Sequence, residues 1–165
     1  MKNVVVTLHK KEIMSDVVNV AYVTGRRLFV TGQEEKASDI QTPEESPDKY
    51  IIARAMASGY ANVRGRCARY LTSGRLEDNN SLEDVDGDYV LTLSMPERWN
   101  FGVTVLLTST MHDYMVDYCV YRIFEKTNPE ESSNYARKAD LEFSRIKSIL
   151  EMRTAPIRRP ANRLY

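Results

Sequence analysis

The chain has little of what covalent or metal chemistry needs. Its 165 residues include two cysteines, two histidines and one tryptophan. Cys67 and Cys119 cannot build a disulfide framework or a cysteine-based zinc site. Each lies inside an apolar helical pattern, where a buried free thiol is expected and a reduced intracellular place of synthesis fits. No apolar run approaches the ~20 residues of a bilayer span. The opening MKNVVVTLHKK lacks a longer apolar stretch and a small-residue cleavage site, so no signal peptide is expected. Neither sign of charge dominates, with 23 Lys+Arg against 23 Asp+Glu. That balance argues against a whole-surface nucleic-acid binder and leaves only a local basic patch open. There is no G-x-x-x-x-G-K-[ST] loop, no H-E-x-x-H, no G-x-S-x-G and no G-x-G-x-x-G. No catalytic residue, metal ligand or cofactor is therefore expected, and an enzyme has the least support.

What is there reads as a globular, mainly α domain. Hydrophobic residues make up 42% and charged residues 28%. Val4 to Leu8 and Tyr89 to Leu93 read as two short strands that could pair. Ile13, Val17 and Ala21 recur at helical spacing, predicting a helix from about Lys10 to Thr24 with Gly25 as its stop. Ser46-Pro47-Asp48 is a strong helix entry. The rhythm of Ile52, Met56, Val63 and Cys67 then predicts a helix to about Ser73, closed by Gly74. A third helix, about Phe101 to Lys126, is apolar on nearly every side and so is central or packs on a neighbouring subunit. Asn128-Pro129-Glu130-Glu131 starts a last helix running to about Met152. The short connection before it predicts an antiparallel hairpin. Two acidic loops, about 31–47 and 76–88, separate these parts. The expectation is an antiparallel bundle of about four helices over residues 1–152, with one or two short strands. Residues 153–165 would form an extended basic C-terminal arm.

Several features invite chemistry and have plainer readings. His112 and Cys119 are seven residues apart on one helix, ~10 Å along its axis, too loose for a catalytic pair. Asp84-Val85-Asp86-Gly87-Asp88 has the wrong spacing for a calcium loop and reads as a solvated turn. Asp113 and Asp117, one turn apart, are expected to face the basic side of another helix or a neighbouring subunit. Tyr114, Tyr118 and Tyr121 form a stripe read first as core and second as interface. Arg54, Arg64, Arg66 and Arg69 read as a solvated helix side, or as a nucleic-acid contact. The arm is the least ordinary feature. It carries Arg153, Arg158, Arg159 and Arg163, no acid, prolines at 156 and 160, and a terminal Leu164-Tyr165. Those six residues, the four arginines with Leu164 and Tyr165, are the candidate partner-binding set. The segment reads as plain disorder, as an arm whose guanidinium groups suit the acidic loops of an adjacent copy, or as a phosphate contact with nucleic acid.

The order of parts carries a family likeness. It rests on Tyr60 to Leu71, on Leu-Thr-Leu-Ser-Met-Pro-x-x-Trp-Asn at Leu91 to Asn100, and on Asp117 to Phe124 followed by Asn134 to Ala139. Over residues 46–152 the chain resembles the small helical head–tail connector (adaptor, or neck-ring) proteins of tailed bacteriophages, in the form found in phages of gut Bacteroidetes. The resemblance implies a non-enzymatic virion subunit with no catalytic residues to transfer. Its copies would form a closed ring beneath the portal protein, a dodecamer of roughly twelve copies. The ring would extend the DNA channel, touch DNA transiently, and dock the next neck or tail-completion protein. Assembly would occur in the host cytoplasm, with no membrane. The two strands depart from the simplest all-helical members. The alternative is a small nucleic-acid-binding regulatory protein using the basic helix side and the tail. No helix-turn-helix spacing backs it.

Overall fold

The computed structural model describes residues 1–32, 46–72 and 87–154. Both acidic loops lie mainly outside these, as do Arg158, Arg159, Arg163, Leu164 and Tyr165. The described residues form β1 (Lys2–Leu8), α1 (Lys10–Val30), α2 (Ser46–Cys67), β2 (Tyr89–Met95), α3 (Thr104–Thr127) and α4 (Pro129–Leu150). The fold is mainly helical with one two-stranded antiparallel sheet, as the sequence led us to expect.

α3 sits at the centre and packs against α1, α2, α4 and β1. Leu107, Met111, Tyr114, Met115, Cys119, Val120 and Phe124 are buried along it. Its neighbours alternate in direction. Ser58 meets Tyr118 and Asn62 meets Tyr114, so α2 runs antiparallel to α3. Asp16 meets His112 near the start of α3, and Arg27 meets Glu131 just beyond its end, so α1 runs parallel to it. α4 turns back after the single residue Asn128. The side chain of Asn128 accepts from the Glu131 N–H, and Pro129 opens the first turn.

The strands pair in one register, from Lys2 opposite Met95 to Leu8 opposite Tyr89. Strand alternation turns Val4, Val6, Leu8, Leu91, Leu93 and Met95 onto the helices. Val5 and Val90 face outward.

Three boundaries differ from expectation, each for a physical reason. Gly25 does not stop α1. The apolar rhythm runs on to Leu28, Gly25 is buried within the helix, and Gly32 with φ +79° ends it. α2 stops at Cys67 rather than near Ser73. The Leu71 segment instead pairs with β2, the Thr72 N–H donating to the Thr92 carbonyl and the Ser94 N–H to that of Tyr70. Those bonds satisfy a sheet edge that would otherwise be bare. α3 begins at Thr104, after a 3-10 turn at Phe101–Val103 in which the Asn100 side chain accepts from the Gly102 N–H.

Two glycines of α2 separate packing from propensity. A Cβ on Gly59 would stand 3.0 Å from Met115 Sδ and 3.2 Å from Tyr118 Cδ1, so this glycine sets how closely α2 approaches α3. A Cβ on Gly65 meets nothing within 4 Å. Gly65→Ala should therefore stabilise the protein by about 0.5–1 kcal/mol. Gly59→Val should destabilise it by about 1–3 kcal/mol through overpacking. Urea unfolding of the two variants checks both signs.

Candidate functional site

Both histidines line one open cleft of about 610 Å³, between the start of α1 and the first half of α3. β1 ends at Leu8 and α1 starts at Lys10, so His9 stands at the corner. Its Nδ1 lies 2.7 Å from Asp88 Oδ2. The other oxygen of Asp88 accepts from the Lys10 N–H at 3.1 Å. Asp88 is thus a helix cap supplied from a distant part of the chain: it satisfies a free N–H at the start of α1 and sits at the positive end of the helix dipole. Lower in the cleft, His112 Nε2 lies 2.8 Å from Asp16 Oδ2. Glu12 adds a further acid, and Ser15, Thr108 and Ser109 complete the polar lining. Val105 forms an apolar lip.

The hydrogen bond to Asp88, and then its charge, hold the His9 imidazole above its ordinary value of 6.5. The reciprocal bond from His9, followed by the Lys10 N–H, holds Asp88 below its ordinary 3.8. Neither histidine has a hydrogen-bonded hydroxyl or thiol among the described residues. Cys67 and Cys119 are buried, and burial pushes both thiols up to about 12, so they stay protonated. Among the described residues no group of three or more His, Cys, Asp and Glu is placed to hold a metal ion. Also among them, no helix is long and apolar enough to cross a membrane. Chemically, the cleft can accept hydrogen bonds and cationic groups.

The sequence-predicted features fall as follows. Asp88, read as part of a solvated turn, is the cap of α1. Asp117 meets α4: burial pushes its carboxyl up to about 6, Lys138 opposes that rise, and Asp113 and Glu142 add to it. Asp113 is exposed. Tyr114 is buried and its hydroxyl accepts from Asn62 Nδ2, while Tyr118 reaches Ser58 at 3.0 Å, so this part of the stripe packs between helices. Arg66 lies over the Phe143 ring at 3.9 Å. Arg54 is exposed, and the α2 arginines point in different directions instead of forming one row.

Arg153, the first member of the predicted partner-binding set, is exposed and bridges to Trp99. Thr154 donates from its N–H to the Arg98 carbonyl, and Asn100 donates to that of Met152. The root of the expected arm is therefore fastened to the turn before α3. Trp99 is buried and donates from Nε1 to the Ile149 carbonyl at 2.9 Å. The other five predicted residues lie outside the described ones.

The His9–Asp88 pair escaped sequence reading, although a signal existed. Once Leu8 is placed opposite Tyr89, the next pair along the ladder is His9 and Asp88. The Asp16–His112 pair had no sequence signal, because it depends on how α1 lies along α3. Compared with protein-family models, with curated proteins and with solved structures, the chain finds no match in any of the three.

Two pH predictions follow from these shifts. The raised His9 value contributes stability below 6.5 that is lost as pH rises through the folded value. The lowered Asp88 value contributes stability above 3.8 that is lost as pH falls. The clasp is therefore fully formed between those limits. An NMR titration should place the His9 midpoint above 6.5, and Asp88→Asn should return it to the ordinary value and speed amide exchange in the first turn of α1. Asp117 has the opposite sign for a carboxylate. Its raised value penalises the folded state as pH climbs through about 6. Asp117→Asn should stabilise the protein at neutral pH by about 1 kcal/mol after solvent screening. In thermal melts the gain should vanish near pH 4.

Proposed function

We propose that this chain is a structural virion protein, a head–tail connector subunit of a tailed bacteriophage. In this reading its copies form a ring below the portal, extend the DNA channel and dock the next neck or tail component. The observation that carries it is the fastening of residues 152–154 to the 98–100 turn. A basic C-terminal segment that leaves the body from a fixed point can be aimed at a neighbour at low entropic cost. The family likeness over residues 46–152 stands beside it. Leu141, off the buried stripe of α4, and Met152, just past its end, are exposed, as contact area for neighbours requires. The neutral total charge suits a channel through which DNA must slide without being held.

A nucleic-acid-binding regulator is the second reading, and it fares worse. Its helix side needs Arg54, Arg64, Arg66 and Arg69 to present one basic row. Arg66 is engaged with Phe143, which breaks that row.

Replacing Arg158, Arg159 and Arg163 together by Gln tests the first reading. The purified variant should melt like the parent, while particles assembled with it should lose tails or carry incomplete necks in electron micrographs. Fully tailed, infectious particles would count against the arm. A sequence-specific gel shift at low micromolar protein, steeply weakened by salt, would favour the regulator.

A further inference from the structure

The exposed side of α1 changes character half-way along. Up to Asn19 it is polar, with Lys11, Glu12, Ser15 and Asp16. Beyond that it carries Tyr22, Val23, Arg26, Phe29 and Val30, all exposed. Phe29 is 58% exposed and Val30 84%. These positions are spaced by three and four residues, so they stand as one ridge. The ridge lies opposite the stripe of Ile13, Val17, Ala21 and Leu28 that the core buries. Four large apolar side chains on the water side of one helix end are more than scattered exposure explains.

The cleft at the other end of the same helix has the complementary make-up. It offers Glu12 and Asp16 as acids, and Val105, which is 80% exposed, as an apolar lip beside exposed Leu106. Its volume of about 610 Å³ has room for the Phe29 and Val30 side chains. The ridge supplies the exposed guanidinium of Arg26, which has no ion pair among the described residues, whereas Arg27 is held by Glu131. Ridge and cleft lie roughly 20 Å apart along α1, at 1.5 Å per residue. The spacing leaves a molecule free to use both at once on two different neighbours.

We infer that the ridge of Tyr22, Val23, Arg26, Phe29 and Val30 on one copy docks into the Glu12–Asp16–Val105 cleft of a second copy, as a head-to-tail contact. This rests on, and sharpens, the ring reading above. Phe29 and Val30 bury against Val105 and Leu106, and Arg26 meets the carboxylates of Glu12 and Asp16. Two antiparallel copies using both surfaces on each other would close as a dimer, whereas each surface used on a different neighbour makes the contact heterologous. It propagates until the rotation between copies closes a circle. The contact is small beside the ~800 Å² per partner of a stable interface, so it forms at high local concentration.

Sedimentation velocity of the full chain from micromolar to millimolar concentration tests this. The parent should grow past the dimer. Phe29→Glu should block the ridge and Glu12→Arg the cleft, each weakening association by about tenfold or more. Both residues are exposed, so far-ultraviolet spectra should not change, and each melting temperature should fall only slightly, because each substitution sets the unfavourable charge at an end of the α1 dipole. Mixing the two variants leaves one working ridge and one working cleft, so the mixture should form a heterodimer that grows no further. Joining Arg26→Glu to Glu12→Arg in one chain should restore growth. A parent that stays monomeric or stops at the dimer at millimolar concentration overturns the inference, as do single variants that associate like the parent. So does a mixture that gives no heterodimer. Loss of parental binding to anionic vesicles in Phe29→Glu, without effect on association, would assign the ridge to a membrane instead. The ring reading is judged separately, by density for this chain beneath the portal in virion necks. Normal incorporation of Phe29→Glu would sink the ridge and leave that reading intact, whereas absence of the chain from virions would sink the reading itself.

Discussion

α3 can stay out of water only if something covers it on nearly every side, and the rest of the molecule is arranged to do so. A helix with Leu107, Met111, Met115 and Cys119 on one flank and Val116, Val120 and Phe124 on another cannot be satisfied by a single partner. α2 and α4 flank it antiparallel, α1 lies along it in parallel, and β1 closes its start. A close approach lies at Gly59, where the absence of a side chain lets Met115 and Tyr118 come against the α2 backbone. Two of the polar groups carried inward by this packing find partners on other elements. The Tyr114 hydroxyl accepts from Asn62, and the Trp99 indole donates to the Ile149 carbonyl. Each would otherwise cost about 1–3 kcal/mol unsatisfied.

The sheet fixes α1 in a way helix packing alone does not. Its register places His9 opposite Asp88, and Asp88 then caps α1 from across the ladder. A strand pairing and a helix start thereby become one cooperative unit: a slip of one residue would turn Val4, Val6 and Leu8 to solvent and also uncap the helix. At its far end α1 is tied by Arg27 to Glu131, beside the cap of α4. With both ends pinned, the orientation of its outward side is set, and so is the direction in which Tyr22, Val23, Phe29 and Val30 point.

Periodic burial was legible in the sequence. The stripe of Ile13, Val17 and Ala21, the apolar circumference of α3 and the Asn128-Pro129-Glu130-Glu131 entry each follow from rules acting within a few residues. Helix ends were read less well. A glycine stops a helix only where the next turn has nothing to bury, and Leu28 gave α1 a reason to pass Gly25. The end of α2 was decided by competition with the open edge of β2, a tertiary effect no local pattern carries. The cleft was illegible for a related reason. His9, Asp16, Asp88 and His112 come from four places in the chain, and only the strand register and the lie of α1 on α3 bring them together. The anchoring of Arg153 and Thr154 belongs to the same class, since residues 98–100 meet them only after α4 has returned.

The same physics explains why a neutral chain can still be strongly directional. A net charge of zero says nothing about how charges are distributed, and here they are sorted. Glu34, Glu35, Asp39, Glu44, Glu45 and Asp48 fall in one stretch, and Arg153, Arg158, Arg159 and Arg163 in another with no acid among them. Within α1 the sorting repeats at smaller scale, with Glu12 and Asp16 toward its start and Arg26 and Arg27 toward its end. Charges arranged this way cancel beyond the ~8–10 Å screening length of physiological salt, so the molecule neither attracts nor repels at a distance. Within that length the two ends of α1 present opposite signs, so what a neighbouring charge feels depends on which end it approaches. Sorting of this kind makes the local field depend on position, which a net charge of zero conceals. Adding a uniform basic surface to the same fold would raise affinity for DNA and erase that sense of direction.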